Sequence, residues 1–353
     1  MAKVLIGMSG GVDSAVAAYL LKKQGHEVIG VTLRTWESDD GTESRCCEID
    51  DARRVAMRLG IPYYPLNSLR AFQEEVTEPF IHDYLEGRTP NPCILCNRHV
   101  KWERMLYFMK VLQADYVATG HYAGIRRMPN GRYTVQMARH GEKDQTYMLY
   151  RLTQEQLQHT MMPLSGCSKE EVRAMAREFD LAVASKPDSQ ELCFVPEGNY
   201  GDFIRCHAPG EVPGEGDFVD ESGRILGRHR GIIHYTVGQR RGLGIAAGER
   251  IFVTEIRPKE NQVVLGPEES LYQEEIRCTD LNFLSIPDPE PGTVFRCQAK
   301  IRYHHPAVAA TVTVTGDDNV LVRFDTPVRA PVPGQSAVFY DDDRCVIGGG
   351  IIA

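Results

Sequence analysis

Residues 4–24 read VLIGMSGGVDSAVAAYLLKKQ, and the fold of the first half of the chain follows from them. Val4, Leu5 and Ile6 make a short apolar run of the kind a buried strand needs. Ser9-Gly10-Gly11-Val12-Asp13-Ser14 is a turn of small residues, and Ala15 to Gln24 is dominated by strong helix formers. A strand, a glycine turn and a helix N-terminus present unpaired backbone N–H groups and the positive end of a helix dipole. That arrangement binds an anion, most often a phosphate. Gly10 and Gly11 let the backbone approach the oxyanions, and the Ser9 and Ser14 hydroxyls add donors. Asp13, beside the turn, is a candidate holder of Mg²⁺, directly or through water.

Working outward, residues 27–33 predict a second strand, Ile49–Leu59 a helix, Pro62–Leu66 a third strand, Arg70–Leu85 a helix and Tyr116–Thr119 another strand. Alternation of this kind implies a doubly wound parallel α/β sheet, whose ligands sit beyond the carboxyl ends of the strands. The turn after Ile6, Leu33 and Gly120-His121 gather at that edge. Asn130-Gly131 signals a hairpin, and Ser168 with Glu171 forms a capping box for a helix to Phe179. Helical character is expected to end there. From about Tyr200 turn signals separate short alternating runs, which predicts two small, mainly-β domains, the last a β-barrel. The expected boundaries are 1–199, 200–268 and 269–353.

A chain of 353 residues has room for such domains and their cores. No apolar run approaches the ~18 residues of a membrane span, and Gly7 interrupts the N-terminal run too early for a signal peptide. Ten cysteines in a chain this long read as reduced thiols, so the expected compartment is cytoplasmic. Cys46-Cys47, in an acidic loop, are expected to be surface thiols. A net charge of −8 argues against indiscriminate polyanion binding. Local basic faces exist nonetheless: Arg224 to Gly242 holds five arginines and no acid, and the strand period in FRCQAKIRYH sets Arg296, Lys300 and Arg302 opposite an apolar face.

Gly87–Arg104, GRTPNPCILCNRHVKWER, is the other informative stretch. Pro90 and Pro92 hold it extended, and Asn97 is the expected cap of a helix carrying Arg98, Lys101 and Arg104. Cys96 then precedes a helix N-terminus with basic side chains behind it, a setting that favours the nucleophilic thiolate. Cys193 lies in SKPDSQELCF, residues 185–194.

The string SGGVDS carries no GxxxxGK[ST] lysine and is not GxGxxG; it resembles the PP-loop of the ATP-pyrophosphatase superfamily. With TPNPCILCN, ATGHY, KDQTYML, KPDSQELCF, TVGQRRGLGI, KIRY and PGQSAVFY in this order, the whole chain resembles the bacterial tRNA-specific 2-thiouridylase family. The resemblance implies ATP binding by Gly7, Met8, Ser9, Gly10, Gly11, Val12, Asp13, Ser14, Leu33 and Gly120, with Mg²⁺. It implies a persulfide on Cys193, supplied by a relay protein or a cysteine desulfurase, with Cys96 as the partner that forms a disulfide. Asn91, Pro92 and Cys93 would lie against the target base of the tRNA anticodon loop. His121, Lys143, Asp144, Gln145, Arg302, Tyr303 and Gln335 would contact or position tRNA.

One position departs, since the family commonly has aspartate where this chain has Cys93. Cys93, Cys96 and Cys193 therefore also form a candidate ligand set for a [4Fe–4S] cluster. Other readings are a different PP-loop adenylating enzyme, such as an amidotransferase or a lysidine-type synthetase, and a non-catalytic nucleotide-gated RNA-binding protein.

Overall fold

The computed structural model describes residues 1–37, 48–181, 183–184, 186, 192–195, 199–245, 248 and 250–353. The expectation for Cys46-Cys47 lies outside the described residues.

β1 (Lys3–Gly7) is followed by α1 (Val12–Lys23), β2 (Glu27–Arg34), α2 (Ile49–Leu59) and β3 (Tyr63–Asn67). Helix α3 (69–85) carries one widened turn at Gln73–Thr77, and α4 (92–111) carries another at Cys96–Trp102. β4 (Tyr116–Ala118) leads into the hairpin β5 (Ala123–Arg127) and β6 (Tyr133–Met137), then α5 (Gln154–Gln158) and β7 (Thr160–Met161). The sheet order β3-β2-β1-β4-β7 is parallel throughout. Its central strands β1 and β2 are near-continuous apolar runs because helices cover both faces. Val4, Leu5 and Ile6 are wholly buried, Val4 and Ile6 toward α1 and Leu5 toward α4.

The capping box at Ser168 starts α6 (Lys169–Glu178), with reciprocal Ser168 and Glu171 bonds. Helix does not end there. α7 (Tyr200–His207) follows, capped by the Asn199 side chain, and seats Phe203 and Ile204 in the core. Its apolar residues are too few for the helical period to stand out against the turn-rich sequence after it.

β8 (Gly216–Asp220), β9 (Ile225–His229), β10 (Phe252–Arg257) and β11 (Gln262–Gly266) form a mixed sheet in the order β10-β11-β8-β9. β12 (Tyr272–Phe283), β13 (Val294–Lys300), β14 (Val308–Gly316), β15 (Asn319–Arg329), β16 (Ser336–Tyr340) and β17 (Val346–Ile352) close an antiparallel barrel, β12 pairing with β17.

Two cores cross from one fold unit to the next. Leu5, Trp102, Met105, Tyr147 and Tyr150 share a cluster with Val338, Tyr340 and Val346 of the barrel. Phe72, Phe80 and Cys96 share another with Phe218, Val253 and Val263 of the mixed sheet. Arg132 adds bonds to the Leu284 and Phe283 carbonyls at 2.9 and 2.8 Å. Among the described residues no helix is long and apolar enough to cross a membrane.

Candidate functional site

The turn after β1 is built before any ligand arrives. The Ser14 hydroxyl accepts from the Ser9 amide at 3.1 Å, donates to the Gly11 carbonyl at 3.1 Å and lies 3.3 Å from the Ser9 hydroxyl. Gly11 is the N-cap of α1 and receives no side-chain cap, so the first amides of the helix face the turn. Gly10 has φ +80°, and a Cβ there would lie 2.7 Å from the Glu48 carbonyl oxygen. Gly7 ends β1, while Met8 and Val12 are buried beneath the loop.

The strand ends meet this turn. Leu33 lies buried near the end of β2. Gly120 abuts the start of α1, where a Cβ would stand 2.7 Å from the Ser14 nitrogen. His121 follows, its Nδ1 2.8 Å from the Thr119 hydroxyl and its ring 5.6 Å from that of Trp102. Burial, reinforced by Lys101, pushes its pKa down to about 3.

Asp13 is held by partners within the fold. Lys169 Nζ donates to both its carboxylate oxygens, at 2.7 and 2.8 Å, and the Tyr122 hydroxyl donates at 2.7 Å. The carboxylate is thus paired with an internal cation. Lys186 stands on the other side of the turn, bonded to Glu48 and to Asp51, the latter at 2.5 Å. That bond is the main cause holding the Asp51 pKa below its ordinary value. Two lysines from far along the chain thus brace a turn whose own motif carries none, each through a carboxylate. Lys169 looks like an ordinary lysine in a solvated segment, and Lys186, though it opens the KPDSQELCF motif, gives no local sign that it reaches the turn.

The Gly87–Arg104 stretch departs from expectation. Pro92, one residue after Asn91, is the first residue of α4, and the helix runs on through Cys96 and Asn97. Cys96 is a buried residue on the second turn, and Asn97 is no cap: it is 2% exposed and donates to the Met148 carbonyl at 3.0 Å. Proline is well suited to the first helical position because its missing N–H would have had no partner there. The helix N-terminus therefore belongs to Cys93, which is exposed. The basic side chains behind Cys96 have structural work: Arg98 bonds Gln156 at 3.4 Å and Arg104 the Asn67 carbonyl at 3.3 Å.

The barrel supplies the facing wall. Gln335 donates to the Thr89 carbonyl at 2.7 Å, and Thr89 N donates to the Pro333 carbonyl at 2.8 Å. Arg302 and Tyr303 lie in the turn just past β13 and are half-buried. The Tyr303 pKa is raised by burial first, and then by the neighbouring charges of Asp144 and Cys93. Asn91, Cys93, Tyr303 and Gln335 therefore converge on one region from two fold units. Within KDQ only Lys143 is exposed. Asp144 is buried and accepts from Thr146 at 2.6 Å and from the Ala138 amide at 3.3 Å. Gln145 accepts from the Tyr122 amide at 2.9 Å, holding the residue that bonds Asp13. Arg296, expected on a basic face, is paired bidentately with Asp325 at 2.8 and 2.6 Å.

Cys96 and Cys193 border the same aromatic cluster, where Phe194 lies against Phe72, Phe80 and Phe203 with ring centres 5.2–5.5 Å apart. Of the other described cysteines, Cys278, Cys297 and Cys345 are buried while Cys206 is exposed. Burial and Glu171 raise the Cys167 pKa, contrary to the activation its position before a helix suggests.

Three family descriptions match the chain: tRNA methyl transferase HUP domain over residues 2–197, tRNA methyl transferase PRC-barrel domain over 201–267 and aminomethyltransferase beta-barrel domain over 273–352. The tRNA-specific 2-thiouridylase MnmA of Lachnoclostridium phytofermentans is 50% identical over 100% of this chain and 99% of its own. That of Acetivibrio thermocellus is 52% identical, covering 99% of each chain. That of Clostridioides difficile is 49% identical over 99% of this chain and 98% of its own. With half its residues shared along its full length, the chain belongs to the tRNA-specific 2-thiouridylase family.

Proposed function

We propose that this chain thiolates carbon 2 of a wobble uridine in tRNA at the expense of ATP. The observation that carries the reading is the approach of the Thr89–Cys93 segment to Tyr303 and Gln335, in a chain that also holds a preformed anion turn and two cysteines bordering one core.

The carbon-2 oxygen of uracil is a poor leaving group. Transfer of AMP from ATP to that oxygen makes it a good one, and the Ser9–Ser14 turn with the N-terminus of α1 receives the departing pyrophosphate. The Gly10 and Gly11 amides meet the phosphates, Gly7 and Gly120 let the strand ends close against the turn, and Met8, Val12 and Leu33 shape the nucleotide's bed. The terminal sulfur of a Cys193 persulfide attacks carbon 2, forming a C–S bond as AMP leaves. The Cys96 thiolate then attacks the Cys193 sulfur and expels the thio-base, which leaves a Cys96–Cys193 disulfide for an external dithiol to reduce. The sulfur donor is a persulfide-carrying protein, a relay protein or a cysteine desulfurase. An anticodon uridine is single-stranded, so splaying it into the pocket costs little. Residues 1–199 would adenylate, while 200–268 and 269–353 help grip the RNA from a cytoplasmic pool.

Two further groups fit less well. Asp13 is taken by Lys169, so no step is assigned to a protein-held Mg²⁺. Among the described residues no three His, Cys, Asp or Glu side chains are gathered to hold a metal ion, and Cys93, Cys96 and Cys193 differ widely in exposure. A [4Fe–4S] route is therefore not adopted.

The test is nucleoside mass spectrometry of tRNA after reaction with ATP and a persulfide donor. Cys96→Ser and Cys193→Ser are each expected to yield no 2-thiouridine while still binding ATP. Normal yield from either variant contradicts the two-cysteine route. The same dependence separates thiolation from amidotransferase or lysidine-type chemistry, which needs neither thiol.

A further inference from the structure

An open cleft of about 520 Å³ lies where the mixed sheet meets the barrel, bordered by Arg240, Arg241, Arg250, Phe252, Glu268 and Arg329. Its frame is fixed. Gly238 N donates to the Val253 carbonyl at 2.8 Å and Val253 N to the Gln239 carbonyl at 2.9 Å. The Gln239 side chain accepts from Thr236 N at 3.1 Å and donates to the Arg241 carbonyl at 3.1 Å. Phe252, Leu271 and Ala330 pack as a small core. Glycine is required at 238, where φ is +89° and a Cβ would touch that of Ala330.

Four guanidinium groups face one carboxylate. Glu268 is engaged by Arg329 at 3.1 Å, and Arg329 also stacks 5.3 Å above the Phe252 ring. Among the described residues, no carboxylate lies within ion-pair distance of Arg240, Arg241 or Arg250, and all three are exposed. Elsewhere in the same basic stretch, Arg224 and Arg228 are neutralised by Asp220 and Asp217. Unneutralised guanidinium groups on a rigid frame suit a phosphate, which accepts two parallel N–H bonds from each. Arg329 also lies near enough to Arg302, in the turn past β13, to act on its charge.

We propose that this cleft binds a phosphodiester of the tRNA backbone, extending the grip from Arg302 onto the mixed sheet. The inference rests on the thiolation reading and adds to it a second point of attachment for the RNA.

The experiment measures binding of unmodified full-length tRNA to the whole chain across a salt series. Arg241→Ala and Arg250→Ala are each expected to weaken binding about 3- to 10-fold near ~0.1 M salt. Each should lower the log–log salt slope by about one, and the double variant by about two. Arg250→Lys should keep the slope, and Arg224→Ala, already paired with Asp220, should change neither quantity. Affinity and slope unchanged in the double variant overturn the proposal. So does unchanged tRNA binding with impaired transfer from a persulfide-carrying protein, which makes the cleft a protein-docking site. Failure of the unaltered chain to thiolate any tRNA overturns the functional reading instead, and leaves the binding measurement to decide the cleft.

Discussion

At the scale of single residues, the pair Lys169–Asp13 ties the anion turn to a helix more than 150 positions away. Lys169 is only 9% exposed, so removing it strands a carboxylate at a partly buried site. Lys169→Met is expected to cost on the order of 3 kcal/mol in urea denaturation, and Lys169→Met with Asp13→Asn to recover much of it, since no unpaired charge then remains. Singles and double alike should lose pyrophosphate release if the pair sets the turn. His121 gives a pH test. It titrates near 6.5 in the unfolded chain and at about 3 in the fold, so between those values the unfolded chain binds more protons. Its stabilising contribution is therefore complete above pH 6.5 and is lost progressively as pH falls toward 3. His121→Asn should flatten the stability curve over that window. Because His121 is neutral at pH 7, the same variant should leave the salt slope of tRNA binding unchanged. The sequence made the turn legible because its chemistry is local. The part that Lys169, Lys186 and Tyr122 play there was not legible, although two of them lie in quoted motifs, because they reach the turn only through tertiary structure.

At the scale of elements, local signals served well where one dominated. The capping box at Ser168, the Asn130-Gly131 hairpin and the helix Ile49–Leu59 stand where those signals put them. They misled where two competed. Pro92 suits both an extended segment and a first helical turn, and the longer apolar pattern of Ile94, Val100, Trp102, Met105 and Met109 decides for helix. The N-cap of α4 therefore moves from Asn97 to Asn91, nearly two turns earlier, and Cys96 and Asn97 move inside the helix. Asn97→Ala is expected to cost about 1–3 kcal/mol, because the Met148 carbonyl loses its donor. Gly120→Ala tests how closely β4 and α1 must meet. A methyl group 2.7 Å from the Ser14 nitrogen has only backbone to push against. Pyrophosphate release should fall by more than tenfold while tRNA affinity stays within twofold, and unaltered release would mean the turn tolerates displacement.

For the whole molecule, the class of each unit was readable from patterns: alternating strands and helices first, then short strands between turns. How the units join was not, because the contacts that join them have no local signature. Leu5 and Trp102 share a cluster with Val338 and Tyr340, and Cys96 shares one with Phe218 and Val253. Cores that cross between units should unfold together. Calorimetry is expected to show one cooperative transition, with its calorimetric and van't Hoff enthalpies equal. Separate transitions would show that the shared clusters contribute little. Arg132→Ala, which frees the Leu284 and Phe283 carbonyls, should shift that single transition down rather than split it.

The aromatic nest around Phe194 has a spectroscopic consequence. The chain has two tryptophans, and they belong to different hydrophobic clusters. Trp36 is half-buried, 6.3 Å from the ring that follows Cys193, whereas Trp102 is wholly buried, 5.6 Å from His121. Trp36→Phe and Trp102→Phe thus give two single-tryptophan proteins without any foreign dye. Emission from Trp36 should follow the sulfur-bearing segment as it loads and discharges, and emission from Trp102 should follow the arrival of nucleotide and RNA. Stopped-flow traces of the two would order those events in time.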